Sequence, residues 1–507
     1  MIVRVKFFVK KIMDAINARR ILPNGSLSPL AVLLYLFAVI AAVALISCTF
    51  PSNGIPFFSR TITFPSITDW TNSDDEGSGV DYFVANLSTD DFLKRLALPQ
   101  KLTHSVLPAK CTPNDVRALP VQPIEFPRGK ENMMLPVWQQ LLVAQKNRKL
   151  MRILHYGDSQ LEADRITMYL RNSLQQRFGG GGVGYVALNP VIPVNPTVKI
   201  SLSNDWKHTA ALVKYKEAAP LNVGVQLSSM YANRADDAWI KLERRALRTY
   251  APLKFSQVKL LLTCSREPLL LEISTPTKLV HQTVVMPQPN RVQQVIADIG
   301  ASREPLTISF SGNGSTVVHG LAMDYRSGIA VDNIPLRSSN GIDFSKANES
   351  ILQQCYKFIN VPLIILQVGV NMVPEPFANY QEYEDELCRQ LQLLKKLAPQ
   401  TAILLAGVSD IARKDPKGGI SSYPNIEAIR DAQRRAAFRA KCAFWDTYEA
   451  MGGKNSIVAW AYAQPALATK DFCHFSAAGT EMMAELLYRS LMGNYEKQLK
   501  KLPAQRR

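Results

Sequence analysis

A chain of 507 residues with 47% hydrophobic and 20% charged residues is long enough to bury two or three cores, which excludes an intrinsically disordered protein. About five of its formal +17 charges lie before residue 30, and about five more lie from Lys497 onward, in a predicted basic tail at residues 496–507. Little basic charge remains for the folded part, and no basic stripe is interleaved with aromatic residues, so nucleic acid is not an expected partner.

The segment Leu30–Phe50 carries no charge and has about the length needed to cross a bilayer. Basic residues precede it and an acidic stretch follows it, so the positive-inside rule places residues 1–29 in the cytoplasm and the rest of the chain on the far side of the membrane. The sequence LISC, which ends at Cys48, also resembles a bacterial lipobox, in which cleavage would leave Cys48 lipidated. We predict a transmembrane helix or a lipoprotein signal at residues 30–50 of a bacterial protein whose body lies in the periplasm or otherwise outside the cytoplasm.

Composition and periodicity divide the remaining chain into a tether and two interleaved domains. Residues 51–130 are rich in Pro, Ser, Thr and Asp, which is typical of a tether. Residues 131–190 contain a helical pattern, a buried strand that ends at Gly157 and a second helical pattern, and residues 322–495 alternate apolar strands with helices. This alternation predicts a parallel sheet covered on both faces. Residues 191–321 are short β-branched runs separated by turn residues, which indicates an inserted all-β sandwich domain.

Four groups of polar residues lie where a predicted strand ends or a helix begins. Ser159 follows the first strand, and the turns Gly369–Asn371 and Ser409–Asp410 follow two later strands. Asp471 lies three residues before His474, just ahead of a helix. In an open parallel sheet, functional groups gather at the carboxyl ends of the strands. A serine hydroxyl is a weak nucleophile unless a base takes its proton and an acid orients that base. His474 is suited to act as the base for Ser159, and Asp471 is suited to orient His474.

These residues, in this order, resemble the signature of a known enzyme superfamily. Gly157-Asp158-Ser159, Gly369-x-Asn371 and Asp471-x-x-His474 are similar to blocks I, III and V of the SGNH (GDSL) hydrolases. The resemblance covers about residues 134–190 and 322–491, and it implies a three-layer, flavodoxin-like α/β fold. A β-domain inserted after block I is similar to the arrangement in bacterial peptidoglycan O-acetylesterases, whose insert looks like a carbohydrate-binding module.

The resemblance also implies roles for the site residues. Ser159 would be the nucleophile, His474 the general base and Asp471 its orienting partner. The oxyanion hole would consist of the backbone N–H of Ser159, a backbone N–H of block II and the side-chain amide of Asn371, with Gly369 shaping the supporting turn.

The block II donor has two candidates. The alignment of this segment places Ser338 where the family usually has glycine. A backbone N–H survives that replacement if the local φ is negative. If the turn requires a positive φ, Gly341 becomes the alternative donor.

No metal or organic cofactor is expected. The cysteines are scattered without a CxxC pair, which indicates neither a zinc site nor a dense disulfide scaffold, although one or two disulfides are compatible with an oxidising compartment.

The expected function is that of a membrane-anchored serine esterase, a carboxylic ester hydrolase that removes O-acyl groups from an envelope or extracellular polysaccharide such as peptidoglycan. O-acetyl is the favoured acyl group. Trp206 and Trp239 of the inserted domain are candidates for stacking on a sugar ring. Two alternatives remain open: an O-acyltransferase that uses the same Ser159 acyl-enzyme with a sugar as acceptor, and a catalytically inactive glycan-binding scaffold.

Overall fold

The computed structural model describes residues 55–57, 60–62 and 120–501, except for residues 189–194, 212–219, 233–237, 246–254, 301–303 and 415–418. Several predicted segments lie outside the described residues: the cytoplasmic segment 1–29, the apolar segment 30–50 with Cys48, most of the tether 51–130, and residues 502–507 of the basic tail. Within the described ranges, no helix is long and apolar enough to cross a membrane.

The chain divides into two compact units, residues 1–101 and 102–507. In the first unit, the structure describes two antiparallel strands, β1 (Ile55–Phe57) and β2 (Arg60–Ile62). The strands of the second unit are β3 (Leu150–Gly157), β4 (Gly182–Val186), β5 (Val198–Leu202), β6 (Lys207–Ala210), β7 (Ser228–Ala232), β8 (Ala238–Arg244), β9 (Gln257–Ser265), β10 (Leu269–Ser274), β11 (Leu279–Val285), β12 (Gln293–Asp298), β13 (Leu306–Ser311), β14 (Ser315–Asp324), β15 (Gly328–Pro335), β16 (Leu363–Gln367), β17 (Ala402–Ala406), β18 (Ala412–Lys414), β19 (Ile420–Ser422) and β20 (Ala443–Trp445). Its α-helices are α1 (Leu135–Lys146), α2 (Arg165–Phe178), α3 (Glu349–Ile359), α4 (Gln381–Leu397), α5 (Ile426–Arg439), α6 (Thr447–Met451), α7 (Ser456–Tyr462) and α8 (Ala477–Leu499).

Five parallel strands form a sheet in the order β15-β3-β16-β17-β20. Numbered by their position along the chain, these strands follow the order 2-1-3-4-5 of flavodoxin-like sheets. The direction of winding reverses between β3 and β16. In sheets of this kind ligands bind at the carboxyl ends of the strands, next to the reversal. The end of β3 and the end of β16 are therefore where a functional site is expected.

Helices cover both faces of this sheet, which explains why its strands are apolar runs. Side chains alternate between the two faces of a strand. In β3, Tyr156 points to one face, where its hydroxyl lies 2.9 Å from that of Tyr356 on α3, and His155 points to the other, where Nδ1 lies 3.0 Å from the hydroxyl of Thr167 on α2. Helices α3, α4 and α5 share the first face, and α1, α2 and α8 share the second. The result is the predicted three-layer α/β arrangement around a parallel sheet.

The residues between β4 and β14 form two antiparallel sheets. One has the order β11-β10-β13-β8-β5, and the other has the order β12-β9-β14-β7-β6 with β4 also paired to β14. Both sheets contribute to one apolar cluster, which includes Ile240, Leu260 and Phe310. Because β4 begins at residue 182 and β14 ends at residue 324, the paired region extends beyond the predicted limits of 191–321 at both ends.

A buried cluster of charged side chains joins the parallel sheet to the antiparallel sheet that contains β14. Arg152 of β3 donates to Asp332 of β15, with 2.7 Å from Nη1 to Oδ2, and pairs with Asp324 at the end of β14. Lys259 of β9 lies 3.0 Å from the same Asp324 carboxylate. Arg152 is 3% exposed and both aspartates are 0% exposed. The positive and negative side chains of this cluster compensate one another's charge, which would otherwise be buried without a partner.

The α/β domain begins earlier and ends later than predicted. Residues 120–130, assigned to the tether from their composition, already pack on it: Ile124 is buried, and Glu125 pairs with Phe444 through the backbone. At the other end, α8 continues to Leu499, where the side-chain amide of Gln498 donates to the carbonyl of Glu131 at 2.6 Å. A cavity of about 330 Å³ lies between these two segments.

Candidate active site

The candidate nucleophile lies on the turn that follows β3. A Cβ at Gly157 would lie 2.6 Å from the Leu161 side chain and 2.8 Å from the carbonyl oxygen of Gln367, so only glycine fits where the strand ends. The chain then enters a 3-10 turn, Ser159–Asp164, which leads into α2. Ser159 is therefore presented half-buried at the carboxyl edge of the sheet.

The structure brings Ser159, His474 and Asp471 together. The hydroxyl of Ser159 lies 3.0 Å from Nε2 of His474, and Nδ1 of His474 lies 2.7 Å from Oδ2 of Asp471. Because an ionised carboxylate only accepts hydrogen bonds, the proton lies on Nδ1 and Nε2 is free to accept from the serine. This is the hydrogen-bond order of a serine, histidine and aspartate triad.

The loop around Asp471 keeps this carboxylate ionised. Its Oδ1 accepts the backbone N–H groups of Cys473 and His474, each at 3.0 Å, and the hydroxyl of Thr469. Partial burial raises the pKa of Asp471, but the hydrogen bonds from Thr469, His474 and Cys473 lower it by more, so the pKa lies well below its usual range. Asp471 therefore remains an acceptor for His474 throughout the neutral pH range.

Asn371 lies on the turn that follows β16, next to the nucleophile turn. Pro335 and Gln367, the last residues of β15 and β16, both pair with Gly157. The side-chain amide of Asn371 donates to the carbonyl of Ser339 at 3.1 Å, which fixes its orientation and leaves its second N–H for a ligand. Gly369 has a φ of +135°, and a Cβ there would lie 2.6 Å from Nε2 of Gln433, so glycine is required.

The loop after β15 contains both candidates for the block II donor. The φ angle is +62° at Ser338 and +84° at Gly341. By conformation alone this favours Gly341, since glycine adopts a positive φ without strain. However, the N–H of Gly341 already donates to the hydroxyl of Ser339 at 3.0 Å. Among the described residues, no hydrogen bond is found for the N–H groups of Ser338 and Ser159, so Ser338 remains the candidate with a free donor.

Asp158 links the nucleophile turn to the Asn371 turn, a role that the sequence analysis did not assign to it. Its carboxylate accepts the backbone N–H of Gln160 at 3.0 Å, and its own backbone N–H donates to the carbonyl of Gln367 at 3.2 Å. The N–H groups of Gly369 and Val370 help to lower its pKa. The residue is 2% exposed. Burial raises the pKa of Asp158 to about 6, although the three N–H donors lower it. Its place in the Gly-Asp-Ser motif was the available signal.

Gln433 of α5 is a second supporting residue that the sequence analysis missed. Its Oε1 accepts the N–H of Val408 at 2.7 Å, and its Nε2 donates to the carbonyl of Val368 at 2.8 Å. It is 0% exposed and lies among the apolar residues of α5 that face the sheet. A polar residue at helical spacing on an apolar face was the signal that could have identified it.

Two buried titratable residues near the site stand outside the triad. His155 is 0% exposed, bonds Thr167 as described and contacts Oε1 of Gln367 at 3.1 Å, and burial lowers its pKa to about 4. Asp410, after β17, accepts the N–H of Ile457 at 2.9 Å, and burial raises its pKa to about 7. Both are structural groups rather than groups that face the nucleophile.

The two candidate glycan contacts differ in exposure. Trp206 is 7% exposed, packs edge-on against Phe310 at 5.2 Å and donates from Nε1 to the carbonyl of Trp239 at 3.2 Å. Its ring belongs to the core of the antiparallel sheets, so we withdraw Trp206 as a sugar-stacking residue. Trp239 on β8 is partly exposed and keeps that possible role.

Among the residues that the structure describes, no group of three or more His, Cys, Asp or Glu side chains is arranged to hold a metal ion. The described cysteines are free thiols: Cys264, Cys355, Cys388, Cys442 and Cys473. Cys48 and Cys111 lie outside the described residues.

No protein-family model and no curated protein matches the chain. Among solved structures, a peptidoglycan O-acetylesterase shares 20% sequence identity with the chain; the match covers 71% of this chain and 96% of that chain, with a TM-score of 0.57. The chain therefore shares the overall fold of that solved structure. A salicylyl-acyltransferase from a tetracycline biosynthetic pathway matches at 11% identity over 63% of this chain and 98% of its own, with a TM-score of 0.27. A family two carbohydrate esterase from Cellvibrio japonicus matches at 9% identity over 59% of this chain and 98% of its own, with a TM-score of 0.24.

This fold places three loops of the chain at one edge of the parallel sheet. The first presents a serine hydroxyl next to an imidazole, the second presents the remaining side-chain N–H of Asn371, and the third holds an ionised carboxylate against the imidazole. An arrangement with an activated hydroxyl beside oriented N–H donors is chemically suited to acyl transfer from an ester.

Proposed function

We propose that the protein is a serine esterase that removes O-acyl groups, O-acetyl above all, from a polysaccharide of the bacterial envelope such as peptidoglycan. The observation that carries the proposal is the hydrogen-bonded chain from Ser159 through His474 to Asp471, with separations of 3.0 Å and 2.7 Å. The fold shared with a peptidoglycan O-acetylesterase supports the choice of substrate class.

In the first half of the reaction, His474 takes the proton of Ser159 as the hydroxyl oxygen attacks the ester carbonyl. The negative charge that develops on the carbonyl oxygen is stabilised by the N–H groups of Ser159 and Ser338 and by the amide of Asn371. Donors of this kind are each worth about 3–4 kcal/mol of barrier. The imidazolium of His474, stabilised by Asp471, then protonates the sugar oxygen as the C–O bond breaks, which leaves an acyl group on Ser159.

In the second half, His474 takes a proton from water, the resulting hydroxide attacks the acyl carbonyl, and the released Ser159 oxygen regains the proton. The side chains of His474 and Asp471 are 36% and 49% exposed, so water reaches the base directly. This exposure favours hydrolysis over transfer to a second sugar, because a transferase must keep water away from its acyl-enzyme.

The proposal also includes how the protein binds its substrate and where in the cell it lies. We interpret the two antiparallel sheets as an inserted β-sandwich domain that binds glycan, with the partly exposed Trp239 as a candidate contact. We also propose that residues 30–50 tether the protein to the membrane, as an uncleaved helix or through a lipidated Cys48, with the catalytic body in the periplasm or otherwise outside the cytoplasm. An esterase held there would meet envelope polysaccharide directly.

Acetate release tests the proposal. The purified protein is incubated with O-acetylated peptidoglycan and with the same material after mild alkaline removal of its O-acetyl groups, and free acetate is measured; p-nitrophenyl acetate serves as a small substrate. We expect acetate only from the acetylated glycan, and loss of both activities in Ser159→Ala. Ser173→Ala, at a partly exposed position of α2, is the matched control and should retain both activities. Equal p-nitrophenyl acetate hydrolysis by Ser159→Ala and the wild type would refute the esterase.

A further inference from the structure

The loop that carries His474 must be fixed relative to Ser159 as well as relative to Asp471. Most of the hydrogen bonds described for this loop are internal. Thr469 contacts Asp471 and the carbonyl of His474, and Asp471 accepts the N–H groups of Cys473 and His474. These bonds orient the imidazole against its carboxylate. They do not set its distance from a serine that lies 315 residues away in the chain.

Gln160, the residue after the nucleophile, makes that connection. Its Nε2 donates to the carbonyl of Cys473 at 2.7 Å, and its Oε1 accepts the N–H of Phe475 at 3.4 Å. These two backbone groups flank His474 on either side. Gln160 is itself anchored, since its backbone N–H donates to Asp158 at 3.0 Å. We propose that Gln160 is a positioning residue that sets the Ser159–His474 distance by bonding the backbone on both sides of the histidine.

The geometry requires an amide side chain of this length. A glutamine offers a donor and an acceptor in one plane, which matches the carbonyl and N–H of the two flanking residues. Glutamate in its ionised form would place an acceptor against the carbonyl of Cys473, and methionine would fill the same volume without either bond. Gln160 is 2% exposed, so water does not readily replace a lost partner.

The inference rests on the proposed function, and it predicts an effect on kcat rather than on substrate binding. Gln160 contacts the loop backbone and no group that would touch the acyl group or the sugar. A misplacement of about 1 Å between reacting groups is enough to reduce a rate on the order of 100-fold. We therefore expect Gln160→Met to lower kcat on p-nitrophenyl acetate by roughly 10-fold to 100-fold and to leave KM nearly unchanged.

A distant glutamine supplies the matched control. Gln498 on α8 is also 2% exposed and also donates from Nε2 to a backbone carbonyl, that of Glu131. Gln498→Met should lower the thermal unfolding midpoint and leave kcat at the wild-type value. If Gln160→Met lowers the midpoint but retains wild-type kcat, Gln160 is a structural residue only and the proposal is overturned.

A second variant makes the role visible in the pH profile. In Gln160→Glu, a protonated carboxyl restores both the donor toward Cys473 and the acceptor toward Phe475, whereas the ionised form keeps the acceptor toward Phe475 but faces the carbonyl of Cys473 with a second acceptor. Burial raises the pKa of a carboxyl placed there, so the neutral form is reached in the mildly acidic range. The kcat of Gln160→Glu divided by that of Gln160→Met should therefore rise as the pH falls.

The ratio of the two variants isolates the effect of residue 160. The titratable and charged groups near this position are Asp158 in the nucleophile turn, Arg165 at the start of α2, and Asp471, Cys473 and His474 in the catalytic loop. They are present in both variants, so the ratio removes the part of their titration that does not depend on residue 160. A ratio that does not change with pH would refute the positioning role.

The two proposals fail in different ways. If the activity of the wild type persists in Ser159→Ala, the esterase proposal fails. If Ser159→Ala is inactive but Gln160→Met has the wild-type kcat, the esterase stands and the positioning role of Gln160 fails.

Discussion

Replacing Arg152 by methionine should destabilise the protein strongly, because Arg152 compensates two carboxylates that have no access to water. In the folded state it pairs with Asp324 and Asp332, both 0% exposed. Lys259 would still pair with Asp324 at 3.0 Å. Among the partners found in the described ranges, Asp332 would keep only the backbone N–H of Tyr185, at 2.8 Å. One buried carboxylate would therefore lose its charged partner.

Two independent arguments give similar magnitudes for this loss. Removing one partner of a buried ion pair typically destabilises a protein by about 3–5 kcal/mol. Alternatively, Asp332 can become neutral by taking up a proton. For a carboxyl with an ordinary pKa, protonation costs about 4 kcal/mol at pH 7, and this cost falls by about 1.4 kcal/mol for each pH unit below 7. In the wild type, burial raises the pKa of Asp332, and the nearby charge of Arg152 lowers it by less. We therefore expect Arg152→Met to reduce the free energy of unfolding by about 3–4 kcal/mol at pH 7.

Urea unfolding followed by tryptophan fluorescence at pH 7 and pH 5.5 measures this effect. The loss should be smaller at pH 5.5, and the double variant Arg152→Met/Asp332→Asn should recover much of it, because no uncompensated charge remains. Arg177→Met is the control: Arg177 pairs with Glu496 at 3.0 Å, but the two side chains are 36% and 57% exposed, and such surface pairs contribute about 0–1 kcal/mol. A loss below about 1 kcal/mol in Arg152→Met, or no recovery in the double variant, would refute the reasoning.

Three further predictions concern the site and its supports. Asn371→Ala removes an oxyanion donor and should lower kcat on p-nitrophenyl acetate by about 10²–10³-fold in steady-state kinetics; an unchanged kcat would exclude Asn371 from the oxyanion hole. At Ser338, where φ is +62°, glycine should preserve kcat because the N–H remains, whereas valine should lower the free energy of urea unfolding by about 1–3 kcal/mol; equal stability of the two variants would argue against strain at this position. Burial raises the pKa of Asp410 from 3.8 to about 7, so the folded state binds the proton more tightly than the unfolded state does. As the pH rises from about 4 to about 7, the unfolding free energy of the wild type should therefore fall relative to that of Asp410→Asn by up to about 1.4 kcal/mol per pH unit, and above this range the difference should be constant. A difference that does not depend on pH would contradict this prediction.

The positions of the candidate triad could be predicted because each part has a local signal. The strand that ends at Gly157 is an apolar run long enough to identify, and a parallel sheet brings the residues after its strands to one edge. Ser159 and Asn371 follow two such strands. Asp471 and His474 are close in the chain, so one loop could orient them together. The Ser159–His474 separation itself needed coordinates, since no local pattern relates residues 315 positions apart.

What could not be predicted depends on contacts between distant residues or on backbone angles. Residues 120–130 look like a tether in composition, and only their pairing with Phe444 places them in the domain. Trp206 lies in the turn between β5 and β6, where strand alternation gives no indication of burial. The preference for Ser338 over Gly341 as the candidate donor depends on a hydrogen bond from the Gly341 N–H to the hydroxyl of Ser339, which no residue pattern reveals.

Residues 120–132 lie close to the end of α8, and this determines how the catalytic body can be circularly permuted. Val121 and Lys501 line the same cavity, and the Lys501 ammonium lies 2.8 Å from the side-chain oxygen of Asn132. A short linker could therefore connect the end of the last helix to residue 120. A circular permutant with new termini in an exposed loop would keep the strand order of the parallel sheet. By the same geometry, any domain fused behind the last helix would emerge beside residues 120–132, where the described part of the catalytic body begins.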